Sequence, residues 1–101
     1  MIRIAVLGAA GRMGRMLVQQ IVAAEDMELA GATEIAGSPF LDQDAGQVAG
    51  VGGLGVPIVA DVDQALAGAD VVIDFTAPAN TLACAPKAAA AGAAMVIGTT
   101  G

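Results

Sequence analysis

Short apolar runs along the chain alternate with segments that have a helical pattern. Four runs containing β-branched residues are predicted as strands: Ile2–Leu7, Met27–Thr33, Val71–Phe75 and Met95–Ile97, with a weaker fifth run at Pro57–Ala60. Continuous apolar runs of this kind are typical of strands that are buried on both faces of a parallel sheet. Three helices are predicted between the strands, at Arg12–Ala24, Asp61–Ala67 and Ala79–Ala91.

Local signals refine two of these helices. Asp61 or Asp63 would cap the second helix, and Gly68 would end it. Pro86 falls inside the third helical pattern, where proline removes a backbone hydrogen bond. We therefore expect a kink there, or two short helices.

The alternation of strands and helices predicts an α/β fold with a doubly wound parallel sheet, that is, a Rossmann-like domain. With 101 residues, the chain has room for one such domain. The segment Ile35–Val56 interrupts the alternation and is rich in glycine. Loops of this length are uncommon unless they are functional, and we expect only a short helical turn around Asp44–Ala49.

A glycine motif follows the first predicted strand. Gly8, Gly11 and Gly14 have the spacing G-x-x-G-x-x-G, a variant of the dinucleotide-binding fingerprint. In that fingerprint the first glycine permits a tight turn, the second lets the backbone approach a pyrophosphate, and the third lets the helix pack closely. Arg12 lies in the first helical turn, where a cation opposes the helix dipole unless an anion is near.

An acidic residue follows the second predicted strand. Glu34 comes about 20 residues after Gly14, where the fingerprint places the residue that binds the adenosine ribose. The alternative is that the glycines only form a turn and that Glu34 is a solvated charge. The register of strand, glycines and acid favours the dinucleotide site.

Composition and charge exclude several classes of protein. The net charge is −6 with only four Lys and Arg residues, so no basic face for nucleic acid is predicted. The chain has no His and one Cys, which excludes a zinc site and an intrachain disulfide and fits a cytoplasmic location. The most apolar stretch, Ala88–Gly98, is shorter than the ~18–20 residues of a membrane span, so no membrane association is expected.

Longer motifs resemble one enzyme family. GAAGRMG at 8–14, DFTAPANTL at 74–82 and VIGTTG at 96–101, together with Glu34, resemble 4-hydroxy-tetrahydrodipicolinate reductase, also called dihydrodipicolinate reductase. The segment DQDAGQVAG at 42–50 is similar to an acidic region of the same family. The resemblance covers the whole chain. It implies an NAD(P)-binding domain over residues 1–101, truncated before its last unit, from an oxidoreductase of the diaminopimelate route to lysine.

The resemblance also implies which residues contact the cofactor. They are Gly8, Ala9, Ala10, Gly11, Arg12 and Met13 at the pyrophosphate and ribose, Glu34 at the adenosine ribose, Phe75 and Thr76 beside the cofactor, and Gly98, Thr99 and Thr100 at the nicotinamide. No catalytic residue is assigned, since the family's His, Lys and Ser-Gly-Thr motif have no counterpart here. The isolated chain is therefore expected to be inactive, and the complete enzyme to be a homo-oligomer through the absent substrate domain.

Two positions depart from the family pattern. Ile35 stands where NADPH-binding members tend to have Arg, and Ala77 stands where a basic residue is frequent. NADH is therefore the expected cofactor, with NADPH as the alternative because Arg12 or Arg15 could reach its extra phosphate. Two other functions stay open. One is another dehydrogenase of the aspartate or homoserine type, against which the GTTG motif weighs, and the other is an NAD-binding module without catalysis.

Overall fold

A computed structural model describes residues 1–74 and 86–97 of the chain. In these residues five strands form one sheet: β1 (Ile2–Leu7), β2 (Met27–Thr33), β3 (Ile58–Val59), β4 (Val71–Asp74) and β5 (Ala94–Ile97). Three helices are α1 (Arg12–Ala23), α2 (Ala45–Ala49) and α3 (Val62–Leu66), and residues 86–90 are also helical. Within these two ranges, no helix has the length and apolar character needed to cross a membrane.

The strands lie in the order β3-β2-β1-β4-β5, and each neighbouring pair is parallel. From the central β1 the chain proceeds outward through β2 to β3, then returns to place β4 on the other side of β1. This confirms the predicted doubly wound sheet. In such sheets, ligands bind beyond the carboxyl ends of the strands where the direction of winding reverses, which here is between β1 and β4.

The core consists of two apolar layers, one on each face of the sheet. Ile4 and Val6 belong to a buried cluster with Ile21 of α1, while Ala5 and Leu7 belong to a second cluster with Leu66 of α3. Successive side chains of a strand point to opposite faces. Both faces of β1 are covered over Ile4–Leu7, and this part of the strand is continuously apolar, as the pattern predicted.

Most predicted elements are confirmed, with small changes at their ends. Ala24 is the C-cap of α1 rather than its last residue. Asp61, not Asp63, caps α3, because its side chain accepts hydrogen bonds from the N–H groups of Asp63 and Gln64. The weak strand at 57–60 contracts to the two residues of β3, which pair only with Ala32 and Thr33 at the end of β2.

The third predicted helix is described only in part. Residues 86–90 are helical, and Gly92 follows them with a positive φ of 74°, as expected of a residue that ends a helix. Residues 75–85 lie outside the described part of the chain. The predicted strand end at Phe75, the start of the helix and the effect of Pro86 therefore stay predictions.

The long segment between β2 and β3 forms an ordered loop that packs on the domain. It contains α2, in agreement with the helical turn expected around Asp44–Ala49. α2 packs against α1, and Gln19 Nε2 of α1 donates a hydrogen bond to the Ala49 carbonyl oxygen at 2.8 Å. This contact fixes the loop against α1.

Candidate functional site

The glycine turn between β1 and α1 is fixed to the end of β2. Gly8 follows β1 with a φ of 82°, a conformation in the left-handed region that glycine adopts without strain. The N–H groups of Gly8 and Ala9 both donate to the carbonyl oxygen of Thr33, at 3.0 and 2.9 Å. The turn is thus set by its own backbone and by the neighbouring strand.

Gly14 and Gly11 are glycines for different reasons. A Cβ atom at Gly14 would overlap the carbonyl oxygen of Gly8 and lie 2.7 Å from the Cα of Ala9, so close packing of α1 on the turn requires glycine there. Gly11 has an ordinary extended conformation, with φ −71° and ψ 168°. Among the described residues, the nearest atom to a Cβ at Gly11 would be the Gly8 carbonyl oxygen, at 3.4 Å. The protein itself would accommodate a Cβ atom at Gly11 in ordinary van der Waals contact, so packing within the described residues does not require glycine there.

The amino terminus of α1 is open to solvent. Gly11 is its N-cap, and in the described part of the chain no side chain caps the helix and no acidic residue lies in its first turn. Arg12 and Met13, the first two residues of α1, are exposed. Free N–H groups and a partial positive charge at such a terminus attract anions. Together with the space beside Gly11, this terminus fits the pyrophosphate of a dinucleotide.

Glu34 lies directly beside the glycine turn. Its backbone N–H donates to the carbonyl oxygen of Val59, which fixes the residue just beyond β2. Its side-chain Oε2 accepts a hydrogen bond of 2.9 Å from the N–H of Ala10. This bond joins the predicted ribose-binding acid to the predicted phosphate-binding turn, and the sequence pattern did not predict it.

Ala9 and Ala10 differ from Gly11, Arg12 and Met13 in that their side chains are buried. Both side chains are buried in the core cluster on the α1 face of the sheet. The N–H of Ala9 is bound to Thr33 and that of Ala10 to Glu34. We therefore interpret these two alanines as residues that shape the turn, and Gly11, Arg12 and Met13 as the surface that it presents.

A cleft of about 210 Å³ opens beside Glu34 at the carboxyl ends of β1, β2 and β3. The described residues that line it are Gly8, Thr33, Glu34, Ile35, Ala36, Ala60 and Val62, none of which is basic. The side chain of Ile35 is 70% exposed at this edge. Four of these residues were not predicted from the sequence: Thr33, Ala36, Ala60 and Val62. Their positions at or just after the ends of β2 and β3 would have been the signal for them.

Arg12 and Arg15 line a separate groove, of about 330 Å³, between α1 and α2. The other residues of that groove are Met16, Gln19, Val48, Ala49 and Gly50, and none of them lines the Glu34 cleft. The two arginines therefore do not line the cleft beside Glu34, although Arg12 also lies at the amino terminus of α1.

Five of the predicted cofactor contacts lie outside the described residues: Phe75, Thr76, Gly98, Thr99 and Thr100. The strands that precede them are described. Asp74 at the end of β4 pairs in register with Leu7 of β1 on one side and with Ile97 of β5 on the other. The predicted contacts thus follow directly after strand ends that are level with the glycine turn.

These features define a Rossmann-like α/β fold with a glycine turn at its switch point. A family model described as dihydrodipicolinate reductase, N-terminus, matches residues 2–101. The chain belongs to this family, which confirms the resemblance found in the sequence.

Individual relatives agree with the family. The chain is 54% identical over 98 residues to 4-hydroxy-tetrahydrodipicolinate reductase from Cupriavidus necator. This match covers 97% of the chain and 37% of the relative. It is 50% identical over 101 residues to the reductase of the same name from Anaeromyxobacter dehalogenans, covering the whole chain and again 37% of the relative. The chain thus spans little more than a third of the length of these curated relatives.

A solved structure is similar along the whole chain. It is dipicolinate-bound dihydrodipicolinate reductase from Paenisporosarcina sp. TG-14, with 25% sequence identity and a TM-score of 0.76. The match covers 100% of this chain and 38% of that one. None of these findings favours the aspartate or homoserine dehydrogenase alternative, or the module without catalysis.

Proposed function

We propose that residues 1–101 are the cofactor-binding domain of an NAD(P)H-dependent enzyme that reduces 4-hydroxy-tetrahydrodipicolinate to tetrahydrodipicolinate in the diaminopimelate route to lysine. The observation that carries the proposal is a glycine turn whose Gly11 is not required by packing, at an uncapped helix terminus and hydrogen-bonded through Ala10 to Glu34. The family and the names of the relatives support the reaction. When bound, the reduced nicotinamide supplies the hydride.

In this proposal the amino terminus of α1 binds the pyrophosphate. Its free N–H groups donate to phosphate oxygens, and Gly11 lets the phosphates come close to the backbone. The exposed guanidinium of Arg12 adds positive charge at the rim, where no side chain of the described first turn is acidic. Most of the binding should come from the backbone, with a smaller part from Arg12.

In this proposal Glu34 binds the adenosine ribose. Its Oε1 atom accepts no hydrogen bond from the described residues, while Oε2 is used by Ala10. A ribose hydroxyl can donate to Oε1, whereas a 2′-phosphate would bring a like charge to it. Because no described residue of the Glu34 cleft is basic, we propose NADH as the preferred cofactor and NADPH as a weaker one.

The remaining assignments belong to the same proposal. Phe75 and Thr76 would border the cofactor and Gly98, Thr99 and Thr100 the nicotinamide, in line with the resemblance of their motifs. A separate domain of the enzyme would bind the substrate and mediate homo-oligomer formation. The location would be the cytoplasm, with no nucleic-acid partner.

Calorimetric titration of the 101-residue chain tests the proposal. NADH should bind with one site per chain. Reduced nicotinamide mononucleotide, which lacks the adenosine and its phosphate, should bind at least tenfold more weakly, because Glu34 and part of the α1 terminus would have no partner. A folded chain that binds neither compound, or both equally well, would overturn the proposal.

A further inference from the structure

The N–H group of Ala10 holds Glu34 in one orientation. Ala10 is only 7% exposed, and its N–H donates to Glu34 Oε2 at 2.9 Å. The two residues are 24 positions apart in sequence, so this bond ties the end of β2 to the glycine turn. Because Val59 also holds the backbone of Glu34, the side chain is restrained at both ends.

We propose that the Ala10 N–H is a specificity-determining group, because it fixes which atom Glu34 presents to the ribose. This inference rests on the proposed function. The Ala10 N–H belongs to a residue with little exposure to solvent, and leaving such a donor without an acceptor is costly. Oε2 is thereby retained inside the protein, and Oε1 is the oxygen that remains for the ligand in the cleft.

A fixed orientation lets the acid at this position discriminate more strongly than a mobile one. A free glutamate could rotate away from a 2′-phosphate and reduce the repulsion at small cost. Glu34 cannot rotate without breaking the bond to Ala10, so its charge stays at the ribose. Repulsive groups of this kind contribute to specificity by disfavouring the wrong ligand, and a charge that is held in place cannot relieve the repulsion by moving.

The same bond dictates the outcome of an isosteric substitution. In Glu34→Gln the side chain has one oxygen and one NH2 group, and only the oxygen can accept from Ala10. The NH2 group must then take the place of Oε1. The oxygen that accepts from the ribose hydroxyl is thus replaced by an NH2 group that can donate to the oxygens of a 2′-phosphate. The negative charge of Glu34 is lost as well.

The effect of orientation can be separated from the effect of charge by a control variant. Glu34→Leu also removes the charge but offers neither an acceptor to Ala10 nor a donor to phosphate. The ratio of NADPH affinity to NADH affinity should therefore be at least tenfold higher in Glu34→Gln than in the native chain. It should also be at least fivefold higher in Glu34→Gln than in Glu34→Leu. Glu34→Ala is a second control if the leucine variant does not fold.

The experiment combines titrations of both cofactors with hydrogen exchange of the Ala10 amide in the ligand-free chain. The Ala10 amide should exchange at least tenfold more slowly in the native chain and in Glu34→Gln than in Glu34→Leu or Glu34→Ala. Equal exchange in all variants, or equal cofactor ratios in Glu34→Gln and Glu34→Leu, would overturn the inference.

Failure of the inference can be distinguished from failure of the proposed function. If the proposed function is wrong, the native chain will bind neither cofactor while the Ala10 amide is still protected by Glu34, and the specificity role is overturned with it. If only the inference is wrong, the native chain will bind NADH but its Ala10 amide will exchange as in Glu34→Leu.

Discussion

The N–H of Gly55 donates a hydrogen bond of 2.7 Å to Oδ2 of Asp44, across 11 positions of sequence. The N–H of Leu54 donates to both oxygens of the same carboxylate, at 3.0 and 3.2 Å. Oδ1 also accepts from the N–H groups of Gly46 and Gln47 and so caps α2. One carboxylate therefore closes the loop that packs against α1.

Replacement of Asp44 by Ala should destabilise the domain by about 1–3 kcal/mol, because it removes a helix cap and the closure of the loop. Asp61→Ala is the matched control, since Asp61 caps α3 through two N–H groups but, among the described residues, joins no second segment. Urea unfolding should give a free energy of unfolding that falls at least twice as far for Asp44→Ala. Equal losses in the two variants would show that the bonds to Leu54 and Gly55 contribute nothing.

The same carboxylate should make stability depend on pH in acid. Hydrogen bonds from backbone N–H groups, that of Leu54 first, lower the pKa of Asp44 from its ordinary value of 3.8, against the opposing effect of desolvation. Because the folded pKa is the lower one, Asp44 contributes fully above about pH 5 and loses its contribution as the pH falls through the folded pKa.

Asp44→Asn, which does not titrate, is the comparison that isolates this effect. The difference in the free energy of unfolding between the native chain and this variant should shrink as the pH falls from about 5 to about 2.5. A difference that stays constant over this range would contradict the assignment. Urea unfolding at a series of pH values measures it.

Substitutions in the glycine turn should separate binding from folding. Gly11→Val should abolish NADH binding while the circular dichroism spectrum stays native, because a Cβ at Gly11 would make only ordinary contact with the described residues, whereas the side chain would occupy the phosphate site. Gly14→Ala should instead unfold or strongly destabilise the chain, since its Cβ would overlap the Gly8 carbonyl oxygen. Arg12→Ala should weaken binding less than Gly11→Val. Unchanged NADH affinity in folded Gly11→Val would refute the role of this glycine.

Cofactor preference should depend on position 35. We expect NADH to bind at least tenfold more tightly than NADPH, a difference of about 1.4 kcal/mol. Ile35→Arg should narrow this gap by improving NADPH affinity, because a guanidinium can bind the 2′-phosphate with charge-assisted hydrogen bonds. Ile35→Gln is the uncharged control and should change the ratio little.

Paired calorimetric titrations at low and moderate salt measure this preference. Equal or tighter binding of NADPH by the native chain would mean that a distant base, such as Arg12 or Arg15, binds the phosphate. Removal of each arginine would then identify it.

The site could be predicted from sequence where it depends on local order along the chain. Gly8, Gly11 and Gly14 are recognisable because strand, turn and helix follow one another within a few residues, and Glu34 is recognisable by its distance from them. The Ala10–Glu34 hydrogen bond and the hydrogen bonds from Leu54 and Gly55 to Asp44 could not be predicted, because they join segments that only the fold brings together. For the same reason Ala60 and Val62 were missed, since they reach the cleft only through the pairing of β3 with β2.

The most direct measurement is a titration of the isotopically labelled chain with NADH, followed residue by residue through its backbone amide resonances. We predict that the largest changes occur at Gly11, Arg12 and Met13 and at the Glu34–Ile35 edge of the cleft. We also predict little change at Leu54 and Glu28, which border a different pocket. Changes centred on that pocket, or none at saturating NADH, would contradict the assignment of the glycine turn as the dinucleotide site.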